Sequence, residues 1–286
     1  MIRNEIVVIS GKGGTGKTTI VSSIIPFFKN LVIGDCDVDA PDLHIMLNPK
    51  QKSKEEFMGL KKASLDESKC IKCGKCYNHC KFGAITEDIL FKHNRCEGCG
   101  VCEYLCPVCA IEMKEAKTGS IYHSQTDYGD MVHARLIPGE EASGKLVAKV
   151  RREAMNIAEK KGFKNIIIDG SPGVACNVIS SITGASKVVI VVEPSLSGLH
   201  DLKRVYQLTQ KFKLKTIVVI NKFDISPKMS REIENYCEKL NITIGLKIPF
   251  SRDIVNSIVM KKIPSIECNR IFENIGFNNF IQLLKG

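Results

Sequence analysis

The sequence predicts an α/β fold: a mainly parallel sheet flanked by helices, interrupted by an inserted cysteine-rich module. Two observations set the outer fold. Short apolar runs alternate with amphipathic stretches, the pattern of right-handed βαβ units, and a glycine-rich loop joins the first run to the first such stretch. The third observation sets the insert: 13 cysteines in 286 residues, most of them inside an internal repeat. That length accommodates one sizeable α/β domain plus a small module.

Taken in order, residues 5–9 form a short buried strand, the glycine-rich loop follows, and a helix starts at about Lys17. Residues 31–34 form a second strand that runs into Asp35, Cys36, Asp37, Val38 and Asp39. From about Lys50 lysine and cysteine rise, and long apolar strands are absent until Asn165. Helical spacing returns at 144–162, with Leu146, Val150, Ala154, Ile157 and Ala158 on one face. Strands at 165–168, 187–192, 216–220 and 242–248 then alternate with helices at about 196–213, 228–240 and 252–260. The predicted organisation is a domain of residues 1–50 and 125–286, split by a module at 51–124. Ligands of such sheets bind beyond the carboxyl ends of the strands, where the motifs below fall.

Composition excludes several classes. A net charge of +10 comes from lysines spread along the chain, without runs of five or more, and reads as a solvated basic surface, not a nucleic-acid patch. No apolar run approaches the roughly 18 residues of a membrane span. The first residues run straight into a strand with no basic-then-apolar leader. The expectation is a cytoplasmic protein whose cysteines serve a metal in a reducing compartment.

Gly11, Lys12, Gly13, Gly14, Thr15, Gly16, Lys17 and Thr18 fit G-x-x-x-x-G-K-[ST] between a strand and a helix, the context that motif requires. Glycines let backbone N–H groups close round phosphate oxygens, the helix N-terminus adds positive potential, Lys17 reaches the β- and γ-phosphates, and Thr18 ligates Mg²⁺. Thr19 continues the site. Asp169 ends a hydrophobic strand before Gly170, Ser171, Pro172 and Gly173, as a Mg²⁺-associated aspartate followed by a phosphate-sensing loop does. Asn221, Lys222, Phe223 and Asp224 match N-K-x-D, which taken alone points to guanine. The resemblance described below implies adenine and ATP instead, with Asn221 and the Pro249–Phe250 loop near the base. Gly139 to Leu146 nearly spells a second phosphate loop, but Leu146 replaces Ser/Thr and no buried strand precedes it.

C-x₂-C-x₂-C-x₃-C occurs twice, beginning at Cys70 and at Cys96. Three closely spaced thiolates wrap one cuboidal cluster and the fourth comes from the other half. The spacing therefore assigns Cys70, Cys73, Cys76 and Cys106 to one [4Fe–4S] cluster, and Cys80, Cys96, Cys99 and Cys102 to another. Structural zinc takes two separated pairs instead. Pro107 follows Cys106, whereas Lys81 follows Cys80. Cys109 stands where the first half has Gly83 and reads as a packed thiol; Cys36, Cys176, Cys237 and Cys268 read as buried bystanders.

The K-G-G-T-G-K-T form of the loop resembles the deviant P-loop of the MinD, ParA, Mrp and nitrogenase-iron-protein group of P-loop NTPases. With the segments 131–136, 143–147 and 193–203 and the bacterial ferredoxin-like insert, the whole chain resembles the two-[4Fe–4S] ATPases termed cobyrinic acid a,c-diamide synthase-like. The resemblance implies an ATP-sandwich dimer, with itself or with a related ATPase, in which Lys12 reaches the partner's nucleotide as an arginine finger does. It also implies a water-positioning Asp37 and an Asp39 that contacts Mg²⁺ through water. The glutaminase domain of an amidotransferase has no counterpart in these residues.

The leading expectation is an ATPase that couples nucleotide state to electron transfer through two clusters, handing electrons to a protein redox partner. The alternative is an Mrp-like ATPase for cluster or metallocofactor assembly with a client metalloprotein. A MinD-like membrane-positioning role would rest on the apolar tail 271–284. Phe272, Ile275 and Phe280 recur there at helical spacing, but the basic face of a surface binder is missing, so the tail is expected to pack on the sheet.

Overall fold

β-branched residues dominate the apolar runs and fit a sheet buried on both faces. In the computed structural model, which describes residues 4–140 and 143–286, these runs become β1 (Asn4–Ser10), β2 (Leu31–Asp35), β6 (Asn165–Pro172), β7 (Lys187–Val192), β8 (Lys215–Asn221) and β9 (Thr243–Ile248). Three further strands were not anticipated: β3 (Lys50–Leu65), β4 (Ile111–Thr126) and β5 (Gly129–Leu136). All nine lie in one sheet of order β3-β4-β5-β2-β6-β1-β7-β8-β9. Every pairing from β5 to β9 is parallel. The two-residue connection between β4 and β5 makes that pair antiparallel, and the Thr126 hydroxyl caps the turn by accepting from Tyr128 N and Gly129 N at 3.1 Å.

The helices in chain order are α1 (Lys17–Ile24), α2 (Leu43–Leu47), α3 (Lys75–His79), α4 (Val101–Tyr104), α5 (Ser143–Lys161), α6 (Cys176–Ile182), α7 (Leu196–Lys211), α8 (Pro227–Lys239), α9 (Arg252–Val259), α10 (Pro264–Glu267), α11 (Asn269–Asn274) and α12 (Phe277–Lys285). The near-repeat of the phosphate loop at 139–146 includes Glu141 and Ala142, which lie outside the described residues; Ser143 opens α5.

The chain divides into two compact units, Met1–Lys54 with Ile121–Arg135 and Ser143–Gly286, and Glu55–Ser120 with Leu136–Ala142. In the first unit α1 and the strands share one core with the tail. Phe272, Phe277, Phe280, Ile281 and Leu284 are buried in it, and Gly276, at φ 74°, breaks the tail into α11 and α12. In the second unit Ala63, Cys76, Ile85, Ile89 and Ile111 form a small core, flanked by Leu65, Phe91, Met113 and five further cysteines. The buried ammonium of Lys62 donates to His93 O at 2.7 Å and pairs with Glu140.

Next to the α2 turn in the first unit, His133 on β5 stacks between His44 and Tyr122, with centroids 5.5 and 4.9 Å away and planes within 5° and 11°. Burial, then His44 and His123, lowers the His133 pKa to about 4. A histidine kept neutral in the native state binds its proton first in the unfolded chain, so stability falls as pH drops from 6.5 toward 4. A shift of this size is worth about 3 kcal/mol. The urea midpoint should therefore fall more steeply over that range in the native protein than in His133→Phe; equal slopes would refute the assignment.

Candidate functional site

The phosphate loop follows β1 and ends on α1. Gly14 and Gly16 adopt φ of 78° and 93°, a left-handed backbone that glycine takes without cost. Gly16 has a second reason: a Cβ there would lie 2.3 Å from Asn221 Nδ2, which donates to Thr15 O at 2.8 Å. A Cβ on Gly11 would lie 2.2 Å from Asp201 Cβ, so the loop rests directly on α7. The first turn of α1 carries no acidic side chain, which leaves its N-terminal partial charge available to an anion.

Behind the loop stands a charge cluster. Lys17 Nζ lies 2.6 Å from Asp169 Oδ1 and 3.3 Å from Asp37 Oδ2, and the Thr18 hydroxyl donates to Asp169 Oδ2 at 2.7 Å. Burial works against the Lys17 ammonium, but Asp169, Asp37 and Asp35 outweigh it and hold its pKa above the usual lysine value. A triphosphate competes for that ammonium. The Thr18 hydroxyl and Asp169 carboxylate are the hard oxygen donors that Mg²⁺ prefers, and they already meet.

Asp35, to which the sequence pattern gives no role, stands beside this cluster. It pairs with Asp169 in the β2–β6 register and is fully buried. Its carboxylate accepts from Asp37 N at 3.1 Å and Leu43 N at 3.3 Å, clasping both ends of the loop that carries Asp37. Burial, then Asp169, pushes its carboxyl well above the usual range; burial also raises Asp37. Cys36 N donates to Asp169 O at 2.7 Å and the Ser171 hydroxyl to Cys36 O at 2.6 Å, tying this loop to β6. Asp39 lies exposed on the same loop. Three aspartates within five residues are alike as letters; only their burial separates them.

Beside the loop, a cavity of about 200 Å³ is lined by Gly14, Gly16, Thr19, Asn221, Pro249 and Phe250, among others. Asp224 accepts from Phe250 N at 2.6 Å and so braces the turn that forms one wall. Gly13 is exposed, with open space around its Cα. Lys12 Nζ is held by Glu193 at 2.5 Å and Ser197 at 3.0 Å. Gly173, at φ 96°, donates its N–H to Ser10 O at 2.8 Å, which sets the loop after β6 against the start of the phosphate loop.

In the second unit the eight repeat cysteines fall into two pockets. One is lined by Cys70, Cys73, Cys76 and Cys106. The other is lined by Cys80, Cys96, Cys99 and Cys102, with Cys76 at its edge and His79, Phe82, Phe91 and Met113 around it. The halves are built alike. Gly74 and Gly100 cap α3 and α4 at φ 73° and 76°. Ala84 N donates to Cys80 Sγ at 3.3 Å, and Ala110 N to Cys106 Sγ at 3.2 Å. Among the described residues no three thiols converge as ligands of a single ion. A cuboidal cluster takes one thiolate per iron, and each pocket is lined by the four cysteines that the spacing groups together, with Cys76 lining both. Burial pushes the Cys76 thiol up and Cys102 to about 11, so loading metal there releases protons.

The other thiols need correction. Cys36, Cys237 and Cys268 are buried, but Cys109 and Cys176 are exposed. Cys109 takes φ 50°, like the φ 60° of its counterpart Gly83, and is exposed instead of packed.

A parallel sheet, a phosphate loop at the end of its central strand and a Lys–Thr–Asp cluster behind that loop define a P-loop nucleotide-binding protein. The chain belongs to the CobQ/CobB/MinD/ParA nucleotide binding domain family, whose model matches residues 6–264. It is 34% identical over 276 residues to an uncharacterized protein of Methanocaldococcus jannaschii, covering 95% of this chain and 93% of that one. The septum site-determining protein MinD of Pyrococcus horikoshii, solved with Mg-ADP, superposes with a TM-score of 0.58 at 17% identity, covering 99% and 95% of the two chains. A stretch of 56 residues is 41% identical to pyruvate synthase subunit PorD of Methanothermobacter marburgensis, 20% of this chain and 69% of that one.

Proposed function

We propose that this protein is an ATP-hydrolysing iron–sulfur protein that couples its nucleotide state to electron transfer through two [4Fe–4S] clusters. The observation that carries the reading is that two pockets gather the eight repeat cysteines, one lined by Cys70, Cys73, Cys76 and Cys106 and the other by Cys80, Cys96, Cys99 and Cys102 with Cys76 again at its edge, in a chain of the CobQ/CobB/MinD/ParA nucleotide binding domain family. Cys70, Cys73, Cys76 and Cys106 hold one cluster; Cys80, Cys96, Cys99 and Cys102 hold the other. The clusters supply reversible one-electron chemistry. ATP is bound by the 11–18 loop with adenine in the cavity beside Asn221 and Pro249; the guanine reading weakens because Asp224 is committed to Phe250 N. Thr18 and Asp169 hold Mg²⁺, with Asp39 reaching it through water, and Asp37 orients the attacking water. Lys12 stabilises the transferring phosphate bound by a second copy in an ATP-sandwich dimer.

A second reading, assembly of clusters for a client protein, is favoured by one feature: Cys73 and Cys99 are exposed, one in each pocket. The two readings part in a redox titration followed by EPR on anaerobically purified protein, with and without Mg-ATP. Coupled electron transfer predicts about eight irons per chain, two low-potential signals, and a nucleotide-dependent shift of about 60 mV or more, tenfold in a one-electron equilibrium. An unshifted potential, with clusters that pass to an apo-protein, would move the function to assembly.

A further inference from the structure

Lys12 belongs to the phosphate loop, yet its ammonium is held by the connection between β7 and α7. One oxygen of Glu193 lies 2.5 Å from Lys12 Nζ; the other lies 3.9 Å from Nζ of Lys222, at the start of the β8–α8 connection. A single carboxylate therefore faces two lysines that flank the phosphate loop. Its position is fixed locally. Ser195 caps α7 by accepting from Gly198 N at 3.0 Å, and a Cβ on Gly198 would lie 2.2 Å from Glu193 O. The Ser197 hydroxyl, 3.0 Å from Lys12 Nζ, completes the cradle.

We infer that Glu193 is a positioning residue that keeps the Lys12 ammonium on its own subunit and surrenders it when a second copy presents bound nucleotide. The inference rests on the ATP-sandwich reading above. The trans phosphate and Glu193 compete for one charge, because Lys12 cannot serve both. Lys222 makes the release tolerable: when Lys12 leaves, Glu193 still has a cation within reach. Glu193 thus sets a threshold for association, and Lys222 lowers it. Side-chain exposures of 35% for Lys12 and 24% for Glu193 place the pair near the surface class, so the threshold is modest, about two- to five-fold in an equilibrium constant.

The test is the protein concentration at half-association, by sedimentation in saturating Mg-ATP. Glu193→Gln should lower that midpoint about two- to five-fold, and Glu193→Asp, which keeps the charge, should return it toward the native value. Lys222→Met should raise it, because Glu193 then has only Lys12 to hold. A general loosening of this region would instead move Glu193→Gln and Lys222→Met in the same direction. A midpoint unchanged or raised in Glu193→Gln overturns the positioning role while leaving the sandwich intact. A native protein that stays monomeric at every concentration overturns the sandwich, and this inference with it.

Discussion

Lys17→Ala will lose nucleotide binding and will also destabilise the protein, in a way that grows with pH. Lys17 is the buried cation of the phosphate site, and removing one partner of a buried, hydrogen-bonded charge pair costs about 2–5 kcal/mol. In affinity that is about 30-fold to several thousand-fold, which calorimetry with Mg-ATP will resolve. The stability effect follows from what Lys17 leaves behind. Asp169 and Asp35 are fully buried and Asp37 mostly so, and an uncompensated buried charge costs about 3–5 kcal/mol. Burial raises the carboxyls of Asp35 and Asp37, and without the opposing Lys17 charge they keep a proton to still higher pH, so their folded pKa lies above the unfolded value. A group of that kind stabilises below the unfolded pKa and loses its contribution as pH rises through the folded one. The gap in Tm between native and Lys17→Ala should therefore be wider at pH 8 than at pH 5. A gap independent of pH would mean that Asp35 and Asp37 do not depend on this lysine. Metal in the cysteine pockets, assayed as iron per chain, is expected to be unaffected.

The same cluster explains how much of the site was legible. Gly11 to Thr18 could be read because a phosphate loop needs glycine, lysine and hydroxyl at fixed spacing, and Gly11, Gly14, Gly16, Lys17 and Thr18 now have physical reasons in the fold. Asp35 could not, since what distinguishes it from Asp37 and Asp39 is its register against Asp169, a relation across the sheet. Glu193 was visible only as part of a familiar segment; its role appears when the chain brings Lys12 to it. For the fold, the central parallel strands were legible because they are apolar on both faces. β3 was not: its first seven residues are exposed and rich in lysine and glutamate, so no apolar period marks it. Two of the unit boundaries fall within β3 and β4, where no glycine- or proline-rich linker announces them.

Arg151→Met will give the largest loss of stability unconnected with ligands. Arg151 on α5 reaches Glu5 on β1 through Nε at 3.0 Å and Nη2 at 2.6 Å. Its Nη1 donates to Ser180 O at 2.9 Å and Thr183 O at 2.6 Å, the carbonyl end of α6. With exposures of 7% and 5%, neither charge of the pair is relieved by water. Methionine fills much of the volume but donates nothing, leaving a buried carboxylate and two carbonyls without partners. The expected cost is about 3–5 kcal/mol, on the order of 10 °C in Tm for a chain of this size. Glu5→Leu with Arg151→Met should recover much of it, because a buried pair replaced on both sides is often neutral. Failure to recover would place the cost in the α6 carbonyls, where the guanidinium also opposes the negative end of the helix dipole. Since the pair lies among the β1, α5 and α6 contacts and not among those of Lys17, saturating Mg-ATP should still raise the Tm of Arg151→Met. That response should be absent in Lys17→Ala, so the two variants separate what holds the sheet from what holds the nucleotide.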